Sequence, residues 1–293
     1  MSIIEKAVGK LSQNEKDVKA PALHNIIEMG AGRIESEAVA NMTGRAIHGT
    51  GSQSNPTMLD LTRLRQLGGV TPDENKTQIA EEFRMIKRPL IMNAFNQGAG
   101  KIHNGNLIMV TSALAGEGKS FCAINLAMSI AMEMDHTVLL VDADVARPSI
   151  PKYLGFKAEM GLLDLLLDDK LEPADVMIKT DVEKLTILTA GRKSRHATEL
   201  LASQSMSNLL MSIGQRYHDR IVIFDSPPLL LTTESHVLAS KMGQIVMVVE
   251  AENTPQKAVM EALRQIESCD VINLIYNKAR HFPGSGYYGS YYA

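Results

Sequence analysis

One short string decides most of what this chain can fold into. Leu107–Thr111 is an aliphatic run of strand length, and Ala113–Ser120 (ALAGEGKS) follows it almost at once. From Lys119 to Glu133 the sequence reads as a helix. A strand, a glycine-containing turn and a helix in that order form a cradle for phosphate. Gly116 and Gly118 let backbone N–H groups turn towards phosphate oxygens, and the helix N-terminus adds its positive end. Lys119 reaches the β- and γ-phosphates, and Ser120 offers its hydroxyl to Mg²⁺. The expected nucleotide-binding stretch is Ala115, Gly116, Glu117, Gly118, Lys119, Ser120 and Phe121, with ATP and Mg²⁺ as cofactors. One departure is visible, because Ala113 stands where the strict pattern has Gly.

The chain beyond this point alternates strands and helices. Thr137–Val141, Leu185–Thr189, Ile221–Asp225, Ile245–Glu250 and Ile272–Asn277 are mostly continuous aliphatic runs. Such runs mark strands covered on both faces of a parallel sheet. Glu199–Gln215 and Pro255–Ser268 have helical spacing between the later ones. The expected fold is α/β, a doubly wound and mostly parallel sheet.

Two of these strands end in acids. In Leu139–Pro148 (LLVDADVARP), Asp142 and Asp144 are two residues apart, so strand alternation puts both carboxylates on one side. Either can approach Mg²⁺, and one can accept a proton from a substrate hydroxyl. In Ile221–Pro228 (IVIFDSPP), Asp225 closes a strand in the manner of a Mg²⁺-holding acid. The competing reading of all three is a helix cap or strand-ending turn, where Asp is common. Three strands delivering Lys/Ser, Asp/Asp and Asp in order are more specific than any one.

Ahead of the loop, a helix begins after Thr77. Ile79, Phe83, Ile86 and Leu90 recur on one face, and Pro89 is expected to kink or end it. Glu81, Arg84 and Lys87 are expected on a different, charged face. Residues 1–75 read as a weakly structured extension, with a helix at 2–12 that either caps the domain or docks on a partner or membrane surface. Asn41–Pro56 reads as a linker, and Asp60–Leu67 has a pattern that packs on the domain. The catalytic domain is then 76–280, and 281–293 is a flexible tail.

A net charge of −3 gives no argument for nucleic-acid binding. Cys122 and Cys269 match neither a metal-ligand nor a disulfide spacing, which fits a reducing cytosol. No apolar run approaches the length of a membrane span. Four of the seven tyrosines, Tyr287, Tyr288, Tyr291 and Tyr292, fall in the last seven residues, and no Asp or Glu follows Lys278. Such a tail is either a sticky or strand-adding end, or a set of phenolic substrates for the phosphate site.

These residues together resemble the bacterial tyrosine kinases (BY-kinases), and more narrowly the tyrosine autokinases of exopolysaccharide loci with an exosortase system. The resemblance covers about Thr77–Ala293, including Thr189–Ala202 (TAGRKSRHATELLA) and the Tyr cluster. It implies a P-loop NTPase fold with deviant Walker motifs and a tyrosine autokinase acting in trans within a homo-oligomeric ring. Lys119 then binds phosphate, Ser120, Asp142 and Asp225 serve Mg²⁺, and Asp144 is the base for a Tyr hydroxyl. Asn277 matches the position that reads the adenine edge, and Glu81, Arg84 and Lys87 match a motif packed between subunits. There Lys87 replaces an Arg and lacks its bidentate geometry. Ala146 occupies the Arg position of the DxDxR motif, with Arg147 beside it. The resemblance also implies a separate transmembrane polysaccharide co-polymerase partner and a cytoplasmic site at the inner face of the membrane. Two other readings share the fold: a positioning ATPase related to cell-division and plasmid-segregation proteins, and a nucleotide-gated scaffold. Leu114 stands where many positioning ATPases carry an extra lysine, and they lack a terminal Tyr cluster.

Overall fold

The computed structural model describes residues 55–279 except 74, 75, 97 and 99. The expected helix at 2–12, most of the linker and the four tail tyrosines lie outside the described residues. Seven strands form one sheet: β1 (Leu107–Ser112), β2 (Thr137–Asp142), β3 (Ile178–Lys179), β4 (Leu185–Leu188), β5 (Arg220–Asp225), β6 (Gln244–Glu250) and β7 (Ile272–Asn277). Their order is β3-β4-β2-β5-β1-β6-β7. Every pairing is parallel except β3 with β4.

The aliphatic runs explain this sheet directly. Ile108, Val110, Val138, Leu140, Ile221, Ile223, Val246 and Val248 enter one core cluster, and Leu107, Met109, Leu139, Val141, Val222, Phe224, Ile245 and Met247 enter another. Successive residues point to opposite faces, so each of the central strands β1, β2, β5 and β6 feeds two cores, while the edge strands β3 and β7 are partly exposed. The first cluster is closed by α1 (Leu61–Gln66), α2 (Gln78–Phe95), α3 (Lys119–Ala131) and α4 (Ile150–Leu154). The second packs against α5 (Leu162–Leu167), α6 (Pro173–Val176), α7 (Ala197–Ala202), α8 (Gln204–Gln215), α9 (Glu234–Ala239) and α10 (Gln256–Arg264).

Four expectations are corrected. First, the compact unit begins at Ser54, well before residue 75. Leu59, Leu64 and Val70 are core residues, Asp60 caps α1, and Thr57 bridges to Thr180 beside β3. Burying Leu64 contributes about 2 kcal/mol, which holds a six-residue helix that has little stability alone. Second, α2 does not end at Pro89 but continues to Phe95. The missing N–H would have served the Met85 carbonyl, and both residues lie on the exposed side, where water can reach that oxygen. Third, Glu199–Gln215 is two helices. Ser203 divides them: its hydroxyl donates to Leu200 O (2.7 Å) and accepts from Met206 N (3.2 Å) at the start of α8.

Fourth, Lys87 leaves the charged face. It is buried with Phe83 and Leu90, donates to Ser129 O (2.5 Å) and pairs with Glu133 (2.7 Å). Its aliphatic stem lies along the apolar stripe, while its ammonium reaches the end of α3. Glu81 and Arg84 stay on the outer side and pair with each other.

Candidate active site

β1 ends at Ser112, and the chain turns through Ala113–Gly118 into α3. Gly118 has φ 94°, and a Cβ there would lie 2.2 Å from Asn277 Nδ2, so both conformation and contact require glycine. Ala113 needs no such freedom. It is fully buried in the core and is absent from the positive-φ residues, so the methyl group fits without strain.

The loop is held on several sides. Ser112 Oγ donates to Leu114 O (2.7 Å), and Leu114 N donates to Glu117 Oε2 (2.6 Å). The Thr254 hydroxyl donates to Glu117 Oε1. Asn277 Nδ2 donates to Glu117 O (2.8 Å), and Lys278 Nζ donates to Gly116 O (2.8 Å) while pairing with Glu250 (3.1 Å). The segment after β5 is pinned to β1 as well, through Ser226 Oγ to Val110 O (3.0 Å) and Thr111 Oγ1 to Pro227 O (2.9 Å).

Lys119, Ser120, Asp142, Asp144 and Asp225 meet at the carboxyl end of the sheet. Lys119 Nζ lies 2.7 Å from Asp144 Oδ2 and 3.4 Å from Ser120 Oγ. Asp142 and Asp225 are register partners at the ends of β2 and β5. Asp144 lies past the end of β2, so a turn positions it rather than the strand pleat. That turn is closed by Arg147 N, which donates to Asp144 Oδ1 (3.0 Å). The Arg147 side chain is exposed.

The electrostatics separate these acids. Asp142 Oδ2 accepts from Ser149 N (2.9 Å) and Ile150 N (3.0 Å), while its Oδ1 has no partner. Neither oxygen of Asp225 has one. Burial pushes Asp225 up to about 7, against the pull of Lys119. Burial also raises Asp142 to about 6, opposed by its two backbone N–H donors. Burial works against the Lys119 cation, yet Asp225, Asp144 and Asp142 outweigh it and hold its pKa above the ordinary lysine value. Three buried acceptor oxygens therefore lack donors beside Lys119. Among the described residues, no group of three or more His, Cys, Asp or Glu is placed to hold a metal ion by itself.

Other expected residues fall elsewhere. Glu81 and Arg84 lie on α2. Asn277 is beside the loop, with its Nδ2 engaged there rather than open to a ligand. Thr254 and Lys278 were missed by the sequence reading. A cavity lined by Met177, Ile213, Tyr217 and Arg220 lies at the amino end of β5, the opposite edge of the sheet. Among the described residues, no helix is long and apolar enough to cross a membrane.

Residues 103–276 match the family model described as ParA: NUBPL iron-transfer P-loop NTPase. The chain is 32% identical over 57% of its length to the putative tyrosine-protein kinase EpsB of Ralstonia nicotianae, of which it spans 22%. With tyrosine-protein kinase YwqD of Bacillus subtilis it shares 31% identity over 74% of its own length and 89% of that relative. The crystal structure of the chimerical protein CapA2B2 superposes with a TM-score of 0.60 at 28% identity, covering 73% of this chain and 97% of that one. The chain belongs to the ParA-type P-loop NTPase family and, within it, to the bacterial tyrosine-protein kinases. Membership implies nucleotide binding.

Proposed function

We propose that this chain is an ATP-dependent protein-tyrosine autokinase that phosphorylates Tyr287, Tyr288, Tyr291 and Tyr292. The observation that carries this reading is the convergence of Lys119, Ser120, Asp142, Asp144 and Asp225 around unpartnered acid oxygens, in a chain ending in clustered tyrosines. The orphaned oxygens of Asp142 and Asp225, with the Ser120 hydroxyl, fit a Mg²⁺ shared with nucleotide phosphates and water. When bound, that ion supplies charge neutralisation of the phosphates.

The chain's own residues do the rest. Loop N–H groups and Lys119 hold the β- and γ-phosphates. Lys119 shifts from Asp144 towards phosphate, which frees the Asp144 carboxylate to act as base. The phenol oxygen then bonds to the γ-phosphorus as the β–γ bridging bond breaks. ADP leaves, and the phenolic proton passes to Asp144. Asn277 keeps its Oδ1 acceptor for an adenine amino group.

By its resemblance, the protein acts in trans within a homo-oligomer, with Glu81 and Arg84 at the subunit contact. It works in exopolysaccharide polymerisation and export beside a transmembrane co-polymerase, at the inner face of the membrane. Intact-mass analysis after incubation with Mg²⁺ and ATP tests the reading. Phosphate should appear on residues 287–292 of the wild type and be absent from Lys119→Met. ATP consumed with an unmodified tail would instead identify a positioning ATPase, and binding without turnover a scaffold.

A further inference from the structure

The Glu117 side chain poses a physical problem. A carboxylate only 2% exposed sits between the two glycines of a loop that receives anionic phosphates. Left unsatisfied, it would turn to the nearest backbone N–H groups, which are those the phosphates need. The structure limits this. Oε2 takes only the Leu114 N–H, which precedes the expected nucleotide-binding stretch Ala115–Phe121, and Oε1 takes the Thr254 hydroxyl.

Thr254 is itself fixed. It lies in the turn between β6 and α10, where its N–H donates to Glu250 O (3.1 Å) and its Oγ1 accepts from Glu250 N (3.1 Å). The hydroxyl hydrogen is therefore left for Glu117. Glu250 in turn pairs with Lys278, which bonds Gly116 O. The loop is thus gripped on its acid and on the Gly116 and Glu117 carbonyls by a unit contributed by the ends of β6 and β7.

We propose that Thr254 is a positioning residue for the phosphate loop, acting through Glu117 so that the loop's N–H groups stay turned to the nucleotide. This rests on the loop holding nucleotide phosphates and is independent of where the phosphoryl group goes.

Calorimetric titration with Mg²⁺ and β,γ-methylene-ATP tests it. Thr254→Val removes the hydroxyl at nearly constant volume and should weaken binding about tenfold, the usual scale of one hydrogen bond to a charged group. Thr254→Ser should bind within about twofold of wild type, because the hydroxyl is what matters. Glu117→Ala removes the acid through which Thr254 acts and should also weaken binding, and adding Thr254→Val to it should cost little more. In turnover assays the Thr254→Val loss should fall on KM for ATP rather than on kcat. Wild-type affinity in Thr254→Val, equal loss in the Val and Ser variants, or additive losses in the double variant would each overturn the proposal. Failure of the wild type to bind the analogue would overturn the nucleotide reading beneath it.

Discussion

Two lysines bracket α3, and they teach opposite lessons. At its C-terminal end Lys87 donates to Ser129 O and pairs with Glu133, which is 38% exposed. A cation among terminal carbonyls is favoured by the helix dipole, and both of Lys87's partners accept from it. At the N-terminal end Lys119 is a cation at the positive pole, which the dipole disfavours. It persists there because three aspartates surround it, and three of their oxygens lack donors. The same residue type, buried at one end of the helix and half-buried at the other, is structural where its surroundings are saturated and chemical where they are not.

This contrast breaks most sharply at Lys119. Lys119→Met should lower phosphoryl transfer at least about 10²–10³-fold, the scale of losing one preorganised charge stabiliser, as measured by radiolabel incorporation. Lys87→Met should do the reverse. It should cost about 2 kcal/mol in urea denaturation, because Ser129 O loses its donor while Glu133 returns to water, and leave transfer per folded molecule unchanged. A Lys87→Met protein of full stability and no transfer would erase the distinction.

The smallest effect concerns Asp225, whose pKa rises from 3.8 to about 7 on folding. Between those values the folded protein holds a proton that the unfolded chain has released. Stability therefore falls as pH rises through that window, and the penalty is complete above it. Asp225→Asn should stabilise the nucleotide-free protein by about 1–2 kcal/mol at pH 8, allowing for relaxation around the buried acid. The gain should vanish near pH 4, as read from thermal unfolding at both pH values.

Much of the sheet was legible because its strands are aliphatic on both faces and its site acids sit at strand ends. Ala113–Ser120 was legible because strand, turn and helix are contiguous. Lys87 was legible in principle and misread. Three plus three residues along a helix do not return to one face, and Lys87 falls four after Phe83 and three before Leu90, on the apolar stripe. Hydrophobic patterning hides such a residue because lysine counts as polar while its stem packs as hydrocarbon. Thr254 and Lys278 were not legible. They reach the loop across 137 and 162 residues of sequence, and only the folded ends of β6 and β7 bring them there. The division at Ser203 is intermediate: a serine before a helical run is a known start signal, but it lies inside a pattern that continues apolar through both halves.

The segment from Thr57 to Thr71 bears on how the protein can be handled at the bench. Asn125, buried within α3, accepts the Val70 N–H (2.5 Å) on the same side chain that donates to Phe121 O (2.7 Å). Leu59, Leu64 and Val70 cover part of the core beside α3. A version trimmed to begin at residue 76, where the sequence pattern of the catalytic domain begins, would uncover that apolar strip and strand an amide oxygen two turns from the phosphate loop. Poor solubility or weak nucleotide affinity in such a fragment would then report the cut rather than the enzyme, and a start at or before Ser54 avoids the artefact.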